Sequence, residues 1–224
     1  MTAGPTSPST IDAPLPPANF IHARLPVFEL NLAATNLYRV HRRSYGPIFY
    51  NRRSSSSMTF RFDTPNDEYG VLYASPSFDA CLAETIFRDR FRGGDAGGPR
   101  LIDERDISER SIATLGFFES RPLQLADLTQ PLFQYGFDAG VVSTPDWSIP
   151  NRWSLAIHDH PLELDGIHYR SRFANVESAA IFSDRAMLVQ RDNSTPLLQH
   201  PQLASFLDRY DIGIAVSGGT HWRA

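Results

Sequence analysis

The stretch GVLYASPSFDACLAETIF, residues 70–87, predicts a short strand followed by a helix, and this pair of elements sets the expectation for the fold. Ser75 is the expected N-cap of the helix and Pro76 suits its first position. Apolar residues then recur at helical spacing, at Phe78, Cys81, Leu82 and Ile86. Within this apolar helix Glu84 is an isolated acid, because no other charged residue lies between Asp79 and Arg88.

Alternating and mixed apolar runs on both sides of this stretch predict further strands. Strands are expected in LYRVH (37–41), TFRFDTP (59–65), GVLYAS (70–75), RLIDERD (100–106), SIATLGF (111–117), RPLQLADL (121–128) and GIHYR (166–170). We expect a helix near PLFQYG (131–136), a loop around STPDWSIPNRW (143–153), a strand or short helix in SAAIFSD (178–184), and a closing helix in QLASFLDRYDIGIAV (202–216). Strands and helices are mixed without βαβ regularity, which favours an α+β fold. We expect a single compact domain with mixed, mostly antiparallel strands and flanking helices.

Composition excludes several classes of chemistry. All 21 basic residues among the 224 are arginine. The absence of lysine excludes a Schiff base, a lysine general base and a Walker-type phosphate loop, so any bound anion is held by arginine or backbone amides. A single cysteine, Cys81, excludes an internal disulfide and is expected to be a buried thiol. The net charge of -4 does not favour binding of nucleic acid by the molecule as a whole, so no direct nucleic-acid binding is expected.

The N-terminal residues are rich in Pro, Ser and Thr, and we expect residues 1–30 to form a flexible extension before a domain over residues 31–224. The chain has no run long enough to span a membrane and no signal-peptide pattern, so a cytoplasmic location is expected.

Four side chains are candidates for a site. Glu84 is either a solvated helical acid or an acid that points into a cleft. Arg39 and Arg61 lie on predicted strands between aromatic neighbours; they form surface salt bridges or grip phosphate oxygens with their guanidinium groups. Tyr73 is either a core aromatic residue or a stacking face for a flat ring.

Two other constellations have less support. Asp165, His168 and Ser171 are close in sequence, but there is no G-x-S-x-G elbow to favour a serine hydrolase. His158 and His160 lack further ligands for zinc, so no metal site is expected.

An ordered set of motifs resembles the RES domain family of bacterial toxins, named for Arg, Glu and Ser. The motifs are LYRVH, FRFDTP, GVLYASPSFDACLAE, DGIHYRSR and AAIF, and they cover about residues 37–183. By matching position, Arg39, Tyr73, Glu84 and Ser171 are the family's arginine, tyrosine, glutamate and serine. Two departures stand out: Asp63 replaces the common Asn of the FRFDTP motif, and YRSR replaces the more usual Tyr-Pro-Ser.

The resemblance implies a fold like that of ADP-ribosyltransferase toxins and an NAD-consuming activity, with NAD as substrate and no further cofactor. It implies cleavage of the nicotinamide–ribose bond by hydrolysis or phosphorolysis, with Glu84, Arg39 and Tyr73 as catalytic residues. Arg39, Arg61, Tyr73 and Ser171 would bind the substrate. It also implies an Xre-type antitoxin as partner. Transfer of ADP-ribose to a protein, or a non-catalytic module that binds a nucleotide or RNA, are the alternatives.

Overall fold

The computed structural model describes residues 13–52, 54, 59–87, 100–171 and 175–216, and the fold is given for these ranges. The strands are β1 (Val27–Leu30), β2 (Leu37–Arg42), β3 (Val71–Ala74), β4 (Arg100–Asp103), β5 (Arg110–Phe117), β6 (Leu123–Asp127), β7 (Gly166–Arg170), β8 (Glu177–Phe182), β9 (Leu188–Gln190), β10 (Thr195–Pro196) and β11 (Ile212–Ala215). The α-helices are α1 (Phe78–Leu82), α2 (Glu104–Ser108), α3 (Ala139–Ser143), α4 (Ser148–His158) and α5 (Gln202–Arg209). Single 3-10 turns lie at Phe20–His22, Phe133–Tyr135 and Leu197–Gln199, and a π-helical turn, Ala83–Phe87, continues α1.

Two sheets make up most of the domain. One has five strands in the order β1-β6-β7-β8-β3, and in it only β6 and β7 run parallel. The other joins β10, β5 and β2, with β9 also on β5, and all of its described pairs are antiparallel. A short parallel pair, β4 and β11, stands apart. The closing helix predicted over residues 202–216 therefore ends early, at Arg209, because residues 212–215 pair with β4 as a strand. The predicted α+β class with mostly antiparallel strands is confirmed.

The five-stranded sheet is covered on both faces, which explains why β8 reads as a continuous apolar run. Ala180 and Phe182 face one cluster, which α4 covers through Trp153 and Ile157. The intervening residues of β8 face a second cluster, which is shared with the other sheet. A third cluster lies between α1, α2 and α5. SAAIFSD is therefore a strand, one of the two alternatives that the sequence left open.

The predicted loop at residues 143–153 is wrong, because α4 begins at Ser148. Pro150 suggested a break, but it lies in the first turn of α4, where a backbone N–H has no helical partner to lose. Asp146 also supports the start of the helix, since its Oδ1 accepts from the backbone N of Ser148 at 2.9 Å. The helix then buries Trp153 and Ile157 completely.

The predicted flexible extension over residues 1–30 requires correction from residue 13 onwards, and residues 1–12 lie outside the described ranges. Phe20 is buried edge-on against Trp153, with ring centroids 5.1 Å apart. The indole of Trp153 donates to the carbonyl of Pro14 at 2.8 Å. Strand β1 pairs with β6 along its whole length. These contacts make residues 13–30 part of the folded domain.

Two local predictions around the opening stretch also change. Ser77, and not Ser75, caps α1, because its Oγ accepts from the backbone N of Ala80. The hydroxyl of Ser75 instead donates to the carbonyl of Glu177 at 2.6 Å. The predicted strand at residues 59–65 is a turn between Phe60 and Asp63. Side chains from other elements satisfy the backbone of this turn, so it needs no neighbouring strand.

Candidate functional site

The site begins with a pair formed by Glu84 and Ser171. Glu84 lies in the π-helical turn after α1, and its Oε1 accepts a 2.5 Å hydrogen bond from the hydroxyl of Ser171. Ser171 follows β7 directly and is 1% exposed, with its backbone N bonded to the carbonyl of Val176 at 2.8 Å. Short π-helical turns inside α-helices occur frequently at functional sites. The acid therefore points to a buried hydroxyl and is only half exposed.

Arg39 brings a positive charge to the same region from β2. Its Nη1 is buried and has no hydrogen-bond partner among the described residues. Burial lowers the pKa of Arg39 to about 10, against the opposing influence of Tyr50 and Cys81 close by. At neutral pH a group with that pKa is still a cation. A desolvated cation with an unused donor is suited to receive an anionic ligand.

Cys81 connects the arginine side of the site to the acid side. Its thiol is buried and donates to the carbonyl of Tyr38 at 3.1 Å, which ties α1 to β2. Burial raises the pKa of the Cys81 thiol to about 12, and the charge of Glu84 adds to that rise while Arg39 opposes it. The expected buried thiol is confirmed, and both Arg39 and Glu84 act electrostatically on it.

Tyr169 is a buried residue close to these groups that was not among the predicted site residues. Burial raises the pKa of Tyr169, the charge of Glu84 raises it further, and the charge of Arg61 lowers it. Its phenol therefore lies within electrostatic range of both charged groups. Strand alternation could have predicted Tyr169 from the sequence. Residues 169 and 171 share one face of an extended chain, and residue 171 follows β7 directly.

Tyr73 lies on β3 with its hydroxyl already bound on the protein side. The hydroxyl donates to Oδ1 of Asp63 at 3.0 Å and accepts from the backbone N of Phe62 at 2.9 Å. Burial and the nearby Asp63 carboxylate hold the pKa of Tyr73 well above its usual range. Its ring meets Phe60 edge-on, with centroids 5.8 Å apart. The phenol thus has a structural task besides any contact of its ring with a ligand.

Arg61 lies in the turn between Phe60 and Asp63 and is 9% exposed. Asp63, which replaces the family's common Asn, accepts at Oδ2 from the side chain of Asn51 at 2.6 Å and from the backbone N of Phe60 at 2.7 Å. Together with the bond from Tyr73, these contacts make the acid the centre of a buried network. The departure from the family pattern therefore forms a well-satisfied contact.

The hydrolase and zinc constellations do not assemble in the described residues. Ser171 binds Glu84, His168 lies 3.0 Å from Asp127, and Asp165 forms two hydrogen bonds with Arg121 at 2.5 and 2.9 Å. The three members of the considered triad thus have separate partners. Among the residues that the structure describes, no group of three or more His, Cys, Asp or Glu side chains could hold a metal ion.

The fold and site together define a two-sheet α+β domain that holds a carboxylate–hydroxyl pair near a desolvated arginine. The family model of the RES domain matches residues 36–200, well over half of the chain. The chain belongs to the RES domain family, as the ordered motifs indicated.

Among solved structures, the chain is similar to one described as the M. tuberculosis MbcT-MbcA toxin-antitoxin complex. The TM-score is 0.60 at 18% identity, and the match covers 83% of this chain and 96% of that chain. At this identity the likeness supports the fold alone. No curated protein sequence matches the chain. No helix in the described part of the chain is both long and apolar enough to cross a membrane.

Proposed function

We propose that this protein is the toxin of a toxin–antitoxin pair and that it consumes NAD by cleaving the nicotinamide–ribose bond. The observation that carries the proposal is the hydrogen-bonded pair of Glu84 and Ser171 in the same site as Arg39, whose buried Nη1 has no partner among the described residues. A simple phosphate-binding site has little use for a carboxylate, because the acid repels the anion. A reaction that develops positive charge next to a diphosphate requires an acidic side chain for the positive charge and a basic side chain for the diphosphate.

The chemistry of the bond explains the role of Glu84. When the bond between the nicotinamide nitrogen and the ribose carbon breaks, its electron pair leaves with neutral nicotinamide and the ribose becomes oxocarbenium-like. A carboxylate near the ribose stabilises this developing charge more than it stabilises the ground state. An oxygen of water or phosphate then forms a bond to the ribose carbon that carried nicotinamide. The attacking water or phosphate releases its proton to solvent.

Ser171 would act on the acid and the substrate together. A hydroxyl has one donor and two acceptor lone pairs, and the donor is directed to Glu84. The acceptor side can take a hydrogen from the amide of nicotinamide or from a ribose hydroxyl. Ser171 thereby fixes the rotamer of Glu84 and orients the reacting end of NAD.

The arginines would hold the other end of the substrate. The diphosphate of NAD is anionic, and a guanidinium can bind two of its oxygens at once. Arg39 supplies the buried unused donor and Arg61 a second cation within range of Tyr169. The ring of Tyr73 would stack on the flat nicotinamide, with its hydroxyl held by Asp63.

The proposed partner is an Xre-type antitoxin that covers this site, and the proposed location is the cytoplasm, where NAD is consumed. Support for a partner comes from the similar solved structure, which is a toxin in complex with an antitoxin. Co-expression with a candidate Xre-type antitoxin should yield a stable complex that releases no nicotinamide.

Incubation of the purified protein with NAD tests the proposal and distinguishes the alternative reactions. Nicotinamide with free ADP-ribose indicates hydrolysis, and a requirement for phosphate indicates phosphorolysis. Label from the adenosine part of NAD that stays on protein indicates ADP-ribosyl transfer. Absence of nicotinamide, with and without phosphate and candidate acceptor proteins, would contradict the proposal and favour a binding module.

A further inference from the structure

The turn that carries Arg61 is held by α4, the helix that the sequence analysis interpreted as a loop. The side-chain amide of Asn151 donates to the carbonyls of Phe60 and Arg61, each at 2.9 Å. One helical turn further on, the hydroxyl of Ser154 donates to the carbonyl of Phe62 at 2.7 Å. Three successive carbonyls of the turn therefore accept hydrogen bonds from α4.

Both donors on α4 are buried, Asn151 at 1% and Ser154 at 0% exposure. Hydrogen bonds in such a dry environment have well-defined geometry, and a carbonyl left without its donor there is costly. Ser154 is held in turn by the hydroxyl of Tyr69 at 2.9 Å. Both donors are therefore out of contact with solvent, and Ser154 is held by a core residue.

The opposite side of the turn has its own fixed partners. The backbone N of Phe62 donates to the hydroxyl of Tyr73, and the backbone N of Phe60 donates to the carboxylate of Asp63. The turn is therefore bonded from β3 on one side and from α4 on the other. Side-chain hydrogen bonds from two elements thus hold a turn that has no neighbouring strand.

We infer that Asn151 and Ser154 are positioning residues that fix the place of the Arg61 guanidinium in the site. Arg61 and Glu84 both influence the pKa of the buried Tyr169, which agrees with an Arg61 charge in the region of the acid. A displacement of about 1 Å in a group that holds substrate can strongly reduce the rate. The inference rests on the proposed function for its link to NAD, but the restraint on the turn is independent of it.

A double-mutant cycle between Asn151 and Arg61 tests the link to substrate. Asn151→Ala should raise KM for NAD about tenfold, as expected for lost hydrogen bonds to a buried turn, with a smaller change in kcat. If Asn151 acts through Arg61, the double variant should be no weaker than Arg61→Ala alone. Effects that multiply in the double variant would overturn the inference.

Ile157→Val is the matched control, because Ile157 is a fully buried residue of the same helix that packs in the core cluster. It should lower thermal stability while KM stays at the parental value. A KM increase in this control as large as that of Asn151→Ala would mean that any weakening of α4 disturbs the site, and the specific role of Asn151 would be lost.

Hydrogen exchange at the backbone amides of Phe60, Phe62 and Asp63 tests the restraint without any activity. Asn151→Ala should accelerate exchange at these amides more than Ile157→Val does, and unchanged exchange would overturn the inference. Should Asn151→Ala not fold, Ser154→Ala removes the bond to Phe62 together with the bond to Tyr69 and provides the same comparison against Ile157→Val. A parent protein that releases no nicotinamide contradicts the proposed function, whereas the exchange result still decides the role of α4.

Discussion

Replacement of Arg39 by Met should make the ligand-free protein more stable and at the same time abolish activity. Arg39 is a cation with a buried donor that has no partner among the described residues. Met has similar length and bulk but no charge, so it fills the space without the cost of desolvating a guanidinium. Sites that bind charged ligands commonly reduce stability in this way.

The magnitude follows from the pKa of Arg39. That pKa is lowered to about 10 by burial, whereas arginine ordinarily has a value of about 12.5, and one pKa unit corresponds to about 1.4 kcal/mol. The folded state thus penalises the cation by about 3 kcal/mol. Because the folded-state pKa lies below the unfolded-state value, the penalty is fully present at neutral pH and is relieved only as the pH rises through about 10 and above.

Met should recover about 1 to 3 kcal/mol of this penalty, since part of the packing of the guanidinium is lost. For a chain of this size each kcal/mol raises the Tm by about 2 to 4 °C. Urea denaturation at neutral pH measures the free energy of unfolding directly, and a thermal melt checks it. ADP-ribose should raise the Tm of the parent but not that of Arg39→Met, because only the parent binds the diphosphate tightly.

Arg42→Met is the control, because Arg42 is an exposed arginine on the same strand, β2. The free energy of unfolding of Arg42→Met should differ from that of the parent by no more than about 0.5 kcal/mol. If Arg39→Met were less stable than the parent by 1 kcal/mol or more (about the cost of a lost hydrogen bond) while the control is neutral, Arg39 would be a paired structural residue and not an unpaired, desolvated cation.

Three further changes test the site. Glu84→Gln should lower kcat by two to three orders of magnitude, about 3 to 4 kcal/mol, with KM and Tm near parental values; nicotinamide release at the parental rate would remove the acid from the mechanism. Ser171→Ala frees the rotamer of Glu84 and should lower kcat about tenfold, and an unchanged kcat would contradict the positioning role. Tyr73→Phe removes the hydroxyl that joins Phe62 and Asp63, so it should reduce the free energy of unfolding by about 1 to 3 kcal/mol; a Tm equal to that of the parent would contradict this.

The sequence by itself determined the elements whose pattern is local. The strands β2 and β3 and the helix with Glu84 follow from alternation and helical spacing, which depend only on near neighbours. The order of motifs also determined the family, because it is a property of the chain and not of its packing. Arg39, Tyr73, Glu84 and Ser171 were identified from that order, and their roles in a reaction stay predictions.

The tertiary structure alone decided which partner each polar group takes. Ser171 and Glu84 are 87 positions apart, and only the tertiary fold brings the π-helical turn after α1 to the end of β7, where the hydroxyl reaches the acid. The alternation at residues 59–65 predicted a strand, but the buried donors of α4 and the carboxylate of Asp63 satisfy that backbone in place of a neighbouring strand. Such choices depend on burial, which makes an unpaired polar group costly, and burial is a property of distant segments that no local pattern contains.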